Sequence, residues 1–357
     1  MNKSIFNTLS FLIFCTVPLE ISAQLSHRSG VERPNVSQGA SVSQQVGITD
    51  IGIEYHGPRT NGRVIWGGLV PFGQVWRAGA NQNTTISFST SVTIEGEHLD
   101  AGTYGLHMLP EEDDNFTVIF SSNHTSWGSF YYEESEDALR VKAAVSPVDH
   151  REALMYYFEP LNQSQTLVHL DWAGKKITFN VDVPMIESTI ANFRNKNLRH
   201  LPRFEWYGRW EAAMFCMAHE TNLDEALEWI NVSIQQEEKF ENLMVKSDIL
   251  KLLGREKESK DFLNKALEKA TSYKLGVYGA ELLGIFDKPL KALEVFRLHA
   301  EQYPNEVPPY TRMARVYFRL GETTMVEQSM EKAMQNADSE QEKRSVQFWA
   351  RVLDIEL

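Results

Sequence analysis

The chain has 357 residues, which is enough for about two domains. Its 35 Lys and Arg residues are outnumbered by 48 Asp and Glu residues, which gives a formal net charge of −13. A chain this acidic lacks the broad positive field of non-specific nucleic-acid binding, so no nucleic-acid partner is expected. The two cysteines, Cys15 and Cys216, are too few for a disulfide scaffold or a four-cysteine zinc site.

The first 23 residues are typical of a secretory signal peptide. Lys3 gives a positive start, residues 5–17 are mostly apolar, and Ala23 is a small residue behind which a signal peptidase can cut. We therefore expect cleavage near Ala23 and an extracytoplasmic protein, either periplasmic or secreted. No other stretch reaches the roughly 18 uncharged apolar residues of a membrane span, so no transmembrane segment is expected. An N-terminal core helix and a lipid anchor at Cys15 are the alternatives.

The chain from residue 24 to residue 187 divides into a linker and a β domain. Residues 24–39 are polar and without periodicity, which predicts a linker. Over residues 40–187, short runs of alternating apolar and polar residues are separated by turn residues. This pattern predicts an antiparallel β-sandwich or barrel. The clearest runs, 167–172 and 177–183, are joined by Ala173-Gly174-Lys175 and predict a hairpin.

In residues 188–357 the apolar residues recur with the period of an α-helix. Asn222, followed by Glu225 three residues later, predicts a capping box at the start of one helix. Glycine and proline separate further helical stretches, which we pair as helical hairpins. The predicted pairs are 206–220 with 223–237, 240–253 with 256–270, 273–286 with 289–302, and 308–320 with 323–336, followed by a last helix over 339–355.

The last of these pairs resembles the tetratricopeptide repeat. Its signature positions are occupied by Tyr310, Ala314, Tyr317, Leu320-Gly321, Val326, Met330 and Ala333. Hairpins of this kind bury their apolar stripes by stacking on one another, so the resemblance implies an α-solenoid with a concave face for a protein partner. An irregular helical bundle is the alternative.

The search for catalytic motifs finds none. There is no nucleophile elbow, no HExxH, no phosphate-binding loop and no dinucleotide loop. We therefore predict no catalytic residues, no cofactor and no metal site. His169 and Asp171 point to one face of a predicted strand, but two ligands are too few for a metal, so a cross-strand polar pair is favoured.

The segment from Gly67 to Asn81 is rich in aromatic, glycine and planar polar residues. An aromatic face beside planar hydrogen-bonding groups suits a sugar ring or a peptide. The alternative is that Trp66, Trp76 and Trp127 pack in the core with Arg77 on an indole. The candidate ligand-binding residues are Trp76, Arg77, Asn81, Tyr104, His107 and Trp127.

Several motifs resemble an exported bacterial family of unknown function, the DUF2911 type. They are VPFG at 70–73, VWR at 75–77, GAN at 79–81, AGTYGLHM at 101–108, TSWGSF at 125–130 and EDALRV at 136–141. The resemblance covers about residues 40–184. It implies a β domain that many members follow with a helical-repeat tail, and it implies no catalytic residues.

The leading functional hypothesis is an exported, non-enzymatic binding or scaffold protein. Its β domain would hold a glycan, a peptide or an envelope component, and its helical repeats would bind a protein partner. The alternative is a hydrolase acting on the envelope or on polysaccharide, with His107 or a carboxylate near Arg77 as general acid or base.

Overall fold

The computed structural model describes residues 34–199 and 205–356. These residues fall into two compact units, one ending at Ser188 and the other beginning at Thr189. The predicted signal peptide and most of the predicted linker lie outside the described residues. Within the described ranges, none of the helices has both the length and the apolar character that a membrane crossing demands.

The first unit is an antiparallel sheet with the strand order β1-β2-β3-β6-β7-β8-β11-β10-β9. The hairpin of β4 and β5 attaches to β11. The strands are β1 Gln38–Val46, β2 Thr49–Gly57, β3 Thr85–Phe88, β4 Val92–Ile94, β5 Glu97–Leu99, β6 Gly102–Pro110, β7 Phe116–Ser121, β8 Asp137–Pro147, β9 Met155–Pro160, β10 Gln165–Trp172 and β11 Lys175–Asp182.

The two ends of this strand order come together to form a near-barrel. The amide of Leu154, just before β9, donates to the carbonyl of Pro58, just after β2, at 3.0 Å. The amide of Thr60 donates to the carbonyl of Glu152 at 2.8 Å. These bonds bring the two ends of the sheet together without a continuous ladder between β1 and β9. The predicted antiparallel β fold is confirmed.

The predicted hairpin is formed by β10 and β11, with a turn one residue shorter than the predicted connection. Val168 lies opposite Phe179 and Leu170 lies opposite Ile177, and all four are buried inside the near-barrel. The turn is two residues long, since Trp172 pairs directly with Lys175. Ala173 and Gly174 both have positive φ, at 49° and 80°, as a type I′ turn requires.

The second unit consists of α-helices arranged as antiparallel hairpins. Helix α1, Met185–Asn192, spans the boundary and continues into a π-helical turn, Phe193–Asn197. The hairpins that follow are α2 Tyr207–Ala218 with α3 Leu223–Gln236, α4 Phe240–Leu252 with α5 Glu256–Glu268, α6 Ser272–Gly284 with α7 Pro289–Gln302, and α8 Val307–Leu320 with α9 Thr323–Gln335, before α10 Glu340–Val352. This is the predicted tetratricopeptide-like array.

One local prediction in this unit is wrong. Asn222 has φ 50° and ψ 35°, and its side chain does not cap α3. Instead its amide donates to the Glu225 carboxylate at 2.7 Å, and Arg194 binds the same carboxylate. Because the Glu225 carboxylate is paired with Arg194, it does not form the capping box. A capping box does form at α10, between Ser339 and Glu342.

Candidate functional site

Trp76 lies in the interior of the β unit. Its ring stacks on Trp172, with ring centroids 5.7 Å apart and planes 19° apart. Trp66 meets both rings edge-on at 5.9 Å, and the Trp76 indole donates to the carbonyl of Gly79 at 3.2 Å. The structure therefore favours core packing for Trp66 and Trp76, the alternative to a ligand patch.

Tyr104 also packs in the core, so the structure does not bring it to the other candidates. It is 8% exposed and packs near Phe88 in the hydrophobic core. Its hydroxyl donates to the carbonyl of Asp100 at 2.9 Å. Tyr104 and His107 are three residues apart on β6, and side chains alternate along a strand, so they point to opposite faces.

Arg77 and His107 are the two candidates that the sheet brings together. Trp76 exchanges backbone hydrogen bonds with Met108, each 2.8 Å long, which sets Arg77 beside His107 along the edge of β6. His107 is 2% exposed. Its burial, assisted by the positive charge of Arg77, lowers its pKa from 6.5 to about 4. At neutral pH His107 is therefore an uncharged imidazole beside a guanidinium.

Three residues that the sequence prediction missed continue this cluster. The Tyr132 ring lies 5.4 Å from the His107 ring, and its hydroxyl donates to the Asp137 carboxylate at 2.7 Å. Arg140 donates to the Tyr132 oxygen at 3.0 Å and forms an ion pair with Asp137 at 2.7 Å. We call Arg77, His107, Tyr132, Asp137 and Arg140 the outer-face cluster, because His107 of β6 and Arg140 of β8 lie in one cross-strand row on the face opposite to the core residues of those strands.

The environment shifts the acidity of this cluster. Burial, together with the hydrogen bond to Asp137, raises the pKa of Tyr132 to about 12. Burial also raises the pKa of Asp137, although the hydrogen bond from Tyr132 and the charge of Arg140 oppose the shift. Several ionisable groups with perturbed acidity at one place are typical of functional sites, although structural networks also produce them.

Three buried polar atoms in and beside the cluster have no hydrogen-bond partner within the described ranges. They are Nδ1 of His107, Oδ1 of Asp137 and Oδ1 of Asn83. The Asn83 amide lies close to β6, since its Nδ2 would be 3.1 Å from a Cβ placed on Gly105. Because leaving a buried polar atom unpaired costs about 1–3 kcal/mol, these atoms indicate a position for a polar ligand or water.

A cavity of about 840 Å³ adjoins the outer-face cluster. Asn83 and Trp127 belong to its wall. Gly128 follows Trp127 and packs against Arg77, since a Cβ on Gly128 would lie 2.6 Å from the Arg77 guanidinium. Trp127 is thus a predicted tryptophan that lines this cavity. The wall also includes Ser41, Glu54, His56, Gln82, Thr85, His124 and Ser126.

Asn81 does not line the cavity, although the next residue, Gln82, does, and Asn81 bonds to the segment just before β1. Its side-chain amide donates to the carbonyl of Ser37 at 3.2 Å, and its φ is 57°. Asn tolerates this left-handed conformation better than most residues. These contacts give Asn81 a structural role in the loop before β3.

His169 and Asp171 each have their own cross-strand partners. His169 bonds to the Thr178 hydroxyl at 2.8 Å and to the Glu159 carboxylate at 3.0 Å, while Asp171 accepts from the Tyr157 hydroxyl at 3.4 Å. This is the cross-strand polar arrangement that the sequence favoured. Across the described part of the chain, no group of three His, Cys, Asp or Glu side chains is placed to hold a metal ion.

The helical unit has a cavity of about 700 Å³ between the hairpins α4/α5 and α6/α7. At its wall, Asp248 accepts a hydrogen bond from the Tyr278 hydroxyl at 2.7 Å, and burial raises the pKa of Asp248 to about 6. Lys251 and Glu294 form an ion pair at 3.1 Å at the same cavity. Its apolar wall consists of Met244, Leu252, Leu263, Leu282, Val295 and Leu298.

Comparison with known proteins agrees with this architecture. Residues 37–181 match the model of a family described as "Protein of unknown function (DUF2911)". The β unit has the DUF2911 pattern. The match confirms the family resemblance for that unit and brings no assigned activity. No match was found among curated proteins.

Solved tetratricopeptide-repeat proteins are similar to the helical part. MamA shares 15% identity over 45% of this chain and 91% of its own, with a TM-score of 0.26. YrrB, "a TPR protein with an unusual peptide-binding site", shares 17% over 46% and 84%, with a TM-score of 0.23. TTC0263 of Thermus thermophilus shares 14% over 48% and 92%, with a TM-score of 0.27. Similarity at this level carries no function from these proteins to this chain.

Proposed function

We propose that the protein is an exported, non-enzymatic binding scaffold. Its β unit would hold a polar ligand, a glycan or a peptide, in the cavity beside the outer-face cluster. Its helical unit would bind an extended segment of a partner protein. Export is supported by the signal-peptide pattern of residues 1–23. The observation that carries the proposal is the set of unpaired buried atoms of His107, Asp137 and Asn83 beside an 840 Å³ cavity.

The chemistry of the β cavity favours a ligand with several hydroxyl or amide groups. Arg77 supplies donors in a planar fork. The neutral His107 supplies one donor and one acceptor at neutral pH, and Trp127 supplies an apolar ring on the cavity wall. Arg77 and His107 lie beside the cavity and not in its wall. A sugar ring has one apolar face and a rim of hydroxyls, and a peptide alternates amides with apolar side chains, so both match the wall together with the neighbouring cluster.

A thermal-shift screen of the full chain tests the β site. The probes are chito-, malto- and cello-oligosaccharides, peptidoglycan fragments and short peptides. A ligand at a hundred times its dissociation constant stabilises the unit by about 2.7 kcal/mol, which corresponds to a rise in Tm of several degrees.

We expect Arg77→Gln and His107→Gln to abolish the rise that a binding probe produces. Lys142→Gln is the matched control for Arg77→Gln, because the substitution removes the same charge. Lys142 is exposed and pairs with Glu111. A rise that survives in both cluster variants would place the ligand elsewhere. A screen without any rise would refute a glycan or peptide site.

The proposed partner segment for the helical unit is one with apolar side chains that fit the 700 Å³ cavity. Dodecapeptides displayed on phage are selected on the full chain, and the enriched peptides are measured by fluorescence anisotropy. Leu298→Arg places a charge in the cavity wall and is expected to weaken binding at least roughly tenfold, the effect of a lost apolar side-chain contact.

Leu290→Arg is the matched control on the same helix, since Leu290 is 65% exposed and lies outside the cavity wall. Equal binding by both variants would argue against this cavity. Selection without enrichment would argue against peptide binding by the helical unit altogether.

A hydrolase acting at the β site is the second candidate function. The observation that favours it is His107, which is held neutral and has a buried, unpartnered Nδ1. A neutral imidazole can accept a proton, but a pKa of about 4 makes it a weak general base at neutral pH. Turnover of chito-oligosaccharides, peptides or esters that disappears in His107→Gln would establish the hydrolase, and a blank across the panel would remove it.

A further inference from the structure

A hydroxyl, an imidazole and a carboxylate lie in line across strands β9, β10 and β11. His169 of β10 lies directly opposite Thr178 of β11. Its Nδ1 is 2.8 Å from the Thr178 hydroxyl, and its Nε2 is 3.0 Å from the carboxylate of Glu159 on β9. Val168 and Leu170, the neighbours of His169 along β10, belong to the core. Since side chains alternate along a strand, the three polar groups lie on the opposite face of the sheet.

The carboxylate determines the direction of both hydrogen bonds. A carboxylate only accepts hydrogen bonds, so Nε2 of His169 carries the ring proton and donates it to Glu159. Nδ1 then has a free lone pair and accepts from the Thr178 hydroxyl. Burial lowers the pKa of His169, although the hydrogen bond to Glu159 opposes the shift. The imidazole is therefore uncharged at neutral pH. A hydroxyl, a base and a group that orients the base are the parts of an activated nucleophile.

A positive charge lies on the same face. Lys176 precedes Thr178 by two residues on β11, so the two side chains share one side of the sheet. The Lys176 ammonium is 5.4 Å from the centre of the Tyr157 ring, and that ring is 4.7 Å from the His169 ring. The hydrogen bond between Lys176 and Tyr157 raises the pKa of Lys176. The amine thus stays protonated and supplies charge without competing with Thr178 as a nucleophile.

The neighbouring strand leaves the hydroxyl accessible. Ala144 and Ser146 of β8 lie opposite Thr178 and Lys176, and both are small and exposed. Thr178 is half-buried, whereas His169 is 3% exposed. A reagent can therefore approach the hydroxyl from the side of β8 while the base stays shielded from water.

We propose that Thr178 is a nucleophile that accepts an acyl group from an activated ester. The Thr178 oxygen bonds to the ester carbonyl carbon as its proton passes to Nδ1 of His169, and the ammonium of Lys176 stabilises the negative charge on the carbonyl oxygen. The bond between the carbonyl carbon and the leaving alcohol then breaks, the alcohol takes the proton from His169, and the acyl group stays on Thr178. The site shares no residue with the outer-face cluster or with the helical cavity, so it is a modification site beyond the proposed scaffold function.

Two probes test the nucleophile on the full chain. The first is p-nitrophenyl acetate, which transfers an acetyl group. The second is a fluorophosphonate, which loses fluoride and leaves on the hydroxyl a phosphorus group that water does not readily remove. The labelled protein is digested and its peptides are quantified by mass spectrometry. Hydroxylamine releases an acetyl group from a threonine ester but not from a lysine amide, so it distinguishes Thr178 from Lys176.

Thr103 of β6 is the internal control, because it is a strand threonine that is exposed. If exposure alone determined labelling, Thr103 would be labelled at least as much as Thr178. We expect Thr178 to be labelled at least roughly tenfold faster than Thr103, a modest effect for general-base assistance.

Variants test the role of each group. Thr178→Ser keeps the hydroxyl and is expected to keep the labelling. His169→Gln is expected to slow labelling at residue 178 at least roughly tenfold, because the base is lost. Glu159→Gln is expected to slow it several-fold, since an amide oxygen accepts the same hydrogen bond without the charge. Glu97→Gln of β5 is the matched control, because it removes the same charge from an exposed strand residue.

Folding is separated from reactivity by measuring the Tm of each variant. His169→Gln changes a buried residue, so Glu159→Gln decides if that variant does not fold, because the Glu159 side chain is 56% exposed. Labelling of Thr178 no faster than that of Thr103 with both probes would overturn the proposal. So would equal labelling in Glu159→Gln and Glu97→Gln, or equal labelling of Thr178 in folded and urea-unfolded protein. These results leave the proposed ligand sites untouched, since the thermal-shift screen and the phage selection test those separately.

Discussion

The acidity of His107 predicts how the stability of the β unit depends on pH. Its pKa falls from 6.5 to about 4 in the folded protein. Above pH 6.5 neither the folded nor the unfolded form binds the proton, so His107 has no effect. Between pH 6.5 and 4 only the unfolded form binds it, so the free energy of unfolding decreases as the pH falls. The decrease approaches 1.4 kcal/mol per pH unit and amounts to about 3 kcal/mol by pH 4.

Two measurements on the full chain check this prediction. The chemical shift of the His107 ring gives its pKa directly, with His107→Gln identifying the resonance. Urea unfolding at pH 7.5 and pH 4.5 then compares wild type with His107→Gln in the transition of the β unit, which is identified as the transition that Trp172→Phe shifts. We expect wild type to lose more stability than the variant. Titration of His107 at or above pH 6.5, or equal losses in the two proteins, would refute the reasoning.

Two further predictions concern the helical unit. Gly279→Ala is expected to destabilise it by about 1–3 kcal/mol, because the new Cβ would lie 2.3 Å from the Phe296 ring. Gly284→Ala meets no atom within 4 Å and is expected to stabilise it by about 0.5–1 kcal/mol. Urea unfolding measures both changes, and a change of the same sign in the two variants would contradict the packing. The pKa of Asp248 is raised from 3.8 to about 6 in the folded protein. Between these two pH values only the folded form holds the proton, so the helical unit loses stability as the pH rises from 3.8 to 6. Asp248→Asn, which can still accept from Tyr278, is therefore expected to raise Tm at pH 8 and to change it little at pH 4, and a decrease at pH 8 would contradict this.

Much of the fold was predictable because local patterns determine it. The hairpin of β10 and β11 follows from alternation at Val168 and Leu170 and from the residues at its turn, and the structure contains this hairpin. The helices follow from apolar periodicity, with ends at glycine or proline, as at Gly321, which closes α8 in the left-handed conformation. Asn222 was mispredicted because a distant residue, Arg194, takes the Glu225 carboxylate, and nothing in the local sequence shows that contact.

The candidate site was predictable only in part, because it depends on which strands are neighbours. Arg77 and His107 were predicted and lie together through the pairing of Trp76 with Met108. The opposite directions of Tyr104 and His107 were already implied by their odd spacing on one strand. The contribution of Asp137 and Arg140 requires knowing that β8 follows β7 in the sheet and that a loop brings Tyr132 back over it.

Both candidate sites hold ionisable groups under conditions that disfavour their charge. His107 is buried beside Arg77, and burial at the wall of the 700 Å³ helical cavity raises the pKa of Asp248. Neither arrangement helps the chain to fold, because burying an ionisable group without a full set of partners costs stability. Folding alone would favour apolar side chains at both positions, as it does at Phe179 in the core. An arrangement that opposes stability is expected where a ligand supplies the missing partner, so the two sites are the places where binding should be sought first.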